Sequence, residues 1–160
     1  MKRAIFIGQA MPRFKKHLHD WPSLNSWLYS LRFTDNQIKE NFFYSALVDY
    51  FPGSNGGGHR VPSGREIKKE RKRLRNTIND FNPDIVIPIG KLSIGYCFET
   101  KEPFLKDYVG RTYVANPYGL MDKEVLIIPL PHPSGASTWH KKIENRRLLR
   151  KALGLLKSNL

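Results

Sequence analysis

A chain of 160 residues that is 40% hydrophobic and 12% aromatic carries enough apolar material for one packed core, which excludes a disordered segment. Its 27 Lys and Arg against 14 Asp and Glu leave a net charge of +13, more than solubility alone explains, so a polyanion is expected as partner: nucleic acid first, an anionic membrane second. One cysteine, Cys97, excludes an internal disulfide and any cysteine-built cluster within the chain, and an intracellular location is expected.

The first apolar run, Ala4–Gly8, reads as a strand; the segment MKRAIFIGQAMPR has neither the apolar length nor the small-residue cleavage site of a secretory leader. The strand ends on Gly8-Gln9-Ala10-Met11-Pro12. Glycine there lets backbone amides approach a ligand, and the Gln9 amide can bond a base edge or hold a water. The loop Gly8–Pro22 contains His17, His19 and Asp20, but no HExxH or cysteine pair supports a metal, and none is expected. A second run, Phe42–Val48, leads into the glycine-rich PGSNGGGHRVP of Pro52–Pro62. No Gly-Lys-Ser/Thr closes it, so it is not a Walker loop.

Ser63 with Glu66 three residues on is a capping box, which predicts a helix from Ser63 to about Phe81. Ile67, Leu74, Ile78 and Phe81 form its apolar stripe. Lys68, Lys69, Arg71, Lys72, Arg73 and Arg75 cover much of the rest, and Pro83 stops it. Such a basic face can touch phosphates, although a charge run is more often a solvated surface. Two more runs follow, Ile85–Gly90 and Val125–Leu130, and the last helix is expected over Ile143–Lys157, burying Leu148, Leu149, Ala152, Leu153 and Leu156. No repeat or linker divides the chain, so residues 1–160 form one domain. Ile- and Val-rich strands separated by helical segments point to an α/β fold with a parallel sheet of four strands. In that arrangement the loops after the first, second and fourth strands gather on one edge.

The fourth run ends directly on Pro131-His132-Pro133-Ser134-Gly135. Two prolines stop the ladder and stiffen the turn, placing a histidine and a serine at the carboxyl end of a core strand, where ligands bind in open α/β sheets. A plain helix-entry turn, with Ser134 or Ser137 as cap, is the competing interpretation of an isolated His-Pro-Ser.

Taken together, these motifs resemble the uracil-DNA glycosylase superfamily. GQAMP is similar to its first motif, a Gly-polar-x-Pro turn after strand one, and PHPSGAS to its second. YSALVDYFPG, PSGREIKKER and NPDIVIPIGKLSI lie between them in the order seen in iron–sulfur type members, so the resemblance covers nearly the whole chain. It implies a three-layer α/β/α fold with a four-stranded parallel sheet, and removal of a damaged base, uracil or a related deaminated base, from DNA by base flipping. By resemblance, Gln9 places the attacking water and His132 stabilises the departing base. Gly8, Ala10, Ser45, Ala46 and Gly90 line the base pocket. Lys91, Arg60, Lys141, Ser134, Gly135, Ala136 and Ser137 hold DNA, single- or double-stranded.

The departures from the family pattern are specific. Active members often carry Asp or Glu in the first motif, where this chain has Gln9 and Ala10, so no carboxylate base is supplied there. Asp20 or Asp49 would have to fold in to replace it. The residue that reads the uracil edge falls at Ala46, beside Ser45, instead of the Asn of many members. The cluster cysteines fall at Tyr50 and Glu70, so no iron–sulfur cluster and no other cofactor is expected. The helix wedge falls near Ala136, a small residue, with Trp139 as a substitute. The expectation is a monomeric intracellular DNA glycosylase without membrane contact. A catalytically silent nucleic-acid binder on the same fold is the alternative. A nucleotide-binding enzyme acting on a free base or nucleoside is a third, disfavoured because a small ligand needs no broad basic surface.

Overall fold

The computed structural model describes residues 1–13, 20–56, 58–133 and 138–160. Strand β1 (Ala4–Ala10) is the heart of the sheet: Ala4, Ile5, Phe6 and Ile7 are all completely buried. It pairs in parallel with β2 (Phe42–Val48) on one side and β5 (Ile85–Pro88) on the other. β7 (Val125–Ile127) follows in parallel beyond β5. The sheet has five strands, one more than the sequence predicts, in the order β2-β1-β5-β7-β6. The additional strand, β6 (Tyr113–Ala115), is antiparallel to β7. Three residues are too few to show a period. What makes them a strand is the reversal that follows, where Tyr118 turns at φ +59° and the Asn116 amide clasps both the carbonyl and the N–H of Met121. Prolines also shorten two predicted strands. Pro88 and Pro129 cannot donate to the ladder, so pairing continues past β5 and β7 only as an isolated bridge between Ile89 and Leu130.

Alternating residues of β1 feed two cores. Ala4 and Phe6 face a layer with Leu24 and Leu28 of α1 (Pro22–Ser30), Ile38 of α2 (Asp35–Asn41), and Leu153 and Leu156 of α6 (Ile143–Asn159). Ile5 and Ile7 face the opposite layer, with Ile67, Leu74 and Ile78 of α3 (Gly64–Phe81) and Cys97 of α4 (Gly90–Cys97). Both bonds of the predicted capping box form at Ser63 and Glu66, and α3 ends on Asn82 in the left-handed region, one residue before Pro83. A short helix, α5 (Leu105–Tyr108), and a two-stranded hairpin, β3 (Ser54–Asn55) with β4 (Gly58–His59), complete the described chain.

The connections fix where a ligand can sit. The chain leaves β1 toward the α1 layer and leaves β5 toward the α3 and α4 layer, with β2 and β5 on opposite sides of β1. The strand order therefore reverses between β1 and β5, and the loops at their carboxyl ends diverge and open a crevice. Among the described residues, no helix is long and apolar enough to cross a membrane, and no group of three or more His, Cys, Asp or Glu could hold a metal ion.

Candidate active site

A cavity of about 660 Å³ opens at this edge, and three loops build it. Gln9 and Ala10 are the last residues of β1, which runs two residues past the expected end at Gly8, and Met11 to Arg13 follow it; Phe51, Pro52, Ser54, His59 and Arg60 come after β2, and His132 and Pro133 after β7. Trp21 and Tyr44 add aromatic wall. Gln9 is half-buried and His132 exposed, so both reach a solvent-filled space. Gly8 serves a different purpose from close backbone approach to a ligand. A Cβ at Gly8 would run into the hydroxyl of Tyr44, whose ring packs on Trp21 at 4.2 Å between centroids. Burial raises the Tyr44 phenol well above its ordinary range, so this wall stays uncharged.

His132 is held through its backbone. His140 Nε2 donates to the His132 carbonyl at 2.8 Å, and the His140 ring packs edge-on against Trp139. Gly90, at φ +82°, turns the chain from β5 into α4 at a place where a Cβ would touch the Cβ of His132. Trp139 itself is half-buried against the core, and its carbonyl accepts from Asn145 Nδ2. It is a packing residue here, as expected of most tryptophans.

The glycine loop is braced and shaped by one ion pair. Arg60 grips Glu66 with both arms, at 2.6 and 3.0 Å, and its Nε donates to the Pro52 carbonyl at 2.7 Å. The Tyr50 hydroxyl donates to the same carboxylate. Arg60 above all, then Tyr50 and Ser63, hold the Glu66 carboxyl far below the usual range. Arg60 lines the cavity, but its guanidinium is engaged in tying the loop to the start of α3. Gly53 and Gly56, both at positive φ, let the loop fold into the β3–β4 hairpin that places His59 against Phe51 on the cavity wall.

Other expected residues fall elsewhere. Ala10 lines the cavity with Gln9. Ser45 points to the opposite face of β2, where its Oγ accepts from Arg73 Nη1 at 3.0 Å. Ala46 is buried in the core and its carbonyl accepts from Arg73 Nη2. The two-residue period of the strand turns Tyr44 toward the cavity and Ser45 away from it. Neither Ser45 nor Ala46 lines the space shared by Gln9 and His132. Lys91 and Lys141 are exposed, beside the cavity rather than on its wall. Ser134, Gly135, Ala136 and Ser137 lie outside the described residues, as do His17 and His19. Asp20 and Asp49 do not line the cavity. No carboxylate does among the described residues, whereas Arg13, Arg60, His59 and His132 all do. Sequence reasoning missed Trp21, Tyr44, Phe51, His59 and His140. Aromatic residues near strand ends look like core, and no local spacing links His140 to a carbonyl eight residues away.

Two helices start near the rim, and they differ in charge. Helix N-termini normally carry acids, because backbone N–H groups make them partly positive. Here α4 begins Gly90-Lys91 with no acid in its first turn, whereas α6 follows Lys141 and Lys142 but carries Glu144 in its own first turn. The fold and the site together define an α/β protein with an aromatic-walled cavity at the switch point of a mostly parallel sheet. Residues 2–157 match the family described as the Uracil DNA glycosylase superfamily, and the chain belongs to it. No curated protein matches the chain.

Proposed function

We propose that this protein is a DNA glycosylase that hydrolyses the N-glycosidic bond of a flipped-out, deaminated base, working as an intracellular monomer without a cofactor. The observation that carries this reading is that Gln9 and His132 line one cavity at the carboxyl edge of the sheet. Breaking the bond places positive charge on the sugar and negative charge on the leaving base. His132, on a proline-stiffened loop braced by His140, supplies a donor for the base as it gains charge. The net charge of +13 favours the same anion. Gln9 positions water but cannot deprotonate it, which suffices for an oxocarbenium-like sugar that needs only a weak nucleophile. Lys91, Lys141 and the other rim cations hold the phosphates of the strand.

The test is a panel of oligonucleotides carrying uracil, hypoxanthine, xanthine or mismatched thymine, scored for abasic sites after incubation with the protein. Cleavage of at least one lesion, lost in His132→Ala, supports the assignment. Intact DNA throughout, with binding retained, sustains a second reading: a catalytically silent DNA binder on the same fold. The cavity wall without a carboxylate among the described residues favours that second reading.

A further inference from the structure

A second cavity of about 540 Å³ adjoins the first and shares Met11, Pro12, Arg13, Tyr44 and Phe51 with it. It lies beside β2, the outer strand of the sheet, against Arg73 and Thr77 of α3. We propose that this cavity is a second base pocket. It takes the unstacked base of the nucleotide next to the target in the same single strand, and it prefers bases that carry an exocyclic amine. The inference rests on the DNA reading above and adds a subsite to it.

Three observations carry it. First, the two cavities are separated by side chains common to both, so their occupants are close neighbours, as successive bases of one strand are. Second, the lining offers aromatic faces. Tyr50 directly follows Asp49 in the lining, is 40% exposed, and its hydroxyl is anchored on the Glu66 carboxylate, which fixes the ring beside the Asp49 carboxylate. A supported, exposed ring is a stacking platform, and every base has a face to stack on it.

Third, the pocket contains Asp49, an exposed carboxylate in a strongly basic protein. A carboxylate repels phosphate, so it does not serve the backbone. It accepts hydrogen bonds from amines such as the cytosine N4 group. Asp49 makes no ion pair among the described residues, and its backbone N–H is already taken by Glu70 Oε1 at 3.3 Å. The nearby Arg73 is spent on Ser45 Oγ and on the carbonyls of Ala46 and Leu47. The carboxylate is therefore left to read a ligand, and the arginine is not a phosphate clamp. In a duplex the neighbouring base is stacked and paired, and filling the pocket would require extruding a second nucleotide. Single strands are the substrate this geometry fits.

The experiment measures affinity by fluorescence anisotropy, with the full chain and labelled single-stranded oligonucleotides containing one uracil. The nucleotide on each side of it is in turn cytosine, adenine, thymine or an abasic spacer, and matched duplexes are run beside them. On one side, cytosine or adenine is expected to bind roughly 5- to 100-fold tighter than the spacer. Cytosine should exceed thymine, and single strands should exceed duplexes. Asp49→Asn should abolish the preference for cytosine over thymine while leaving stacking intact. Tyr50→Leu should flatten the gain of every base over the spacer, whereas Tyr50→Phe, which keeps the ring and loses only the hydroxyl on Glu66, should retain it. Affinity that ignores the flanking base, or a cytosine preference untouched in Asp49→Asn, overturns the second pocket and leaves the glycosylase reading standing. Failure to bind any DNA overturns both.

Discussion

Gly8→Ala offers a direct test of how the cavity floor is built. The new methyl would overlap the Tyr44 hydroxyl and approach Cζ to 3.2 Å, so the ring must move. That ring is clamped from its other side by Trp21, 4.2 Å away between centroids, and both residues are buried. Overpacking of this kind costs about 1–3 kcal/mol. Disturbing the aromatic pair adds about 0.5–1.5 kcal/mol. For a domain of this size each kcal/mol lowers Tm by roughly 2–4 °C, so thermal unfolding followed by circular dichroism resolves the effect easily. The decisive arm is the double mutant. Tyr44→Phe deletes the atom that the methyl strikes first, so Gly8→Ala should cost clearly less in a Tyr44→Phe background, with a coupling of about 0.5–3 kcal/mol. A Gly8→Ala protein as stable as wild type, or a zero coupling, would mean that Tyr44 does not cover the end of β1. The account of how the cavity gets its wall would then be wrong.

Three further outcomes are expected. On the best lesion of the oligonucleotide panel, His132→Ala should lower the rate of abasic-site formation by about 100- to 1,000-fold, the usual worth of one preorganised donor, and more than Gln9→Ala does; the reverse order would exchange their roles. Affinity for DNA should fall steeply and linearly on a log–log plot against salt, because each neutralised phosphate releases counterions, and a flat plot would refute the polyanion reading of the basic rim. The Glu66 carboxyl is held far below its ordinary range in the folded state by Arg60, so it stabilises the fold at pH values above about 4.3, the unfolded value, and this contribution disappears as pH falls toward the depressed folded value. Glu66→Gln should therefore unfold at a lower temperature than wild type at pH 7, with the gap closing under acid. A gap that is constant with pH would contradict the ion pair.

Local sequence was enough for elements whose cause is local. The capping box at Ser63 and Glu66 and the αL stop at Asn82 before Pro83 bound α3 within one residue of the expected span, because caps act on adjacent backbone. The strand at Phe42–Val48 falls where the apolar run places it. Four of the five sheet strands were legible in the same way. β6 was not, because a three-residue strand exists only through the β7 edge that it pairs with. The loop carrying His132 was legible too, since proline marks a strand end whatever the rest of the chain does, whereas Gln9 falls inside β1, because pairing of Ala10 with Val48 carries the strand past Gly8.

What only the tertiary structure decided is which side chains share a space. Ser45 and Tyr44 are neighbours in sequence, yet the pleat sends one to Arg73 and the other to the cavity. Arg60 looked like a free cation until α3 brought Glu66 within 2.6 Å of it. His140, Trp21 and Phe51 reach the site from segments far apart in the chain. Residue type and local spacing set the strand ends and the net charge, because those follow from backbone sterics and a sum over the chain. Pairing across the fold depends on sheet order and on the direction each side chain leaves its strand, and neither is written in any short stretch of sequence.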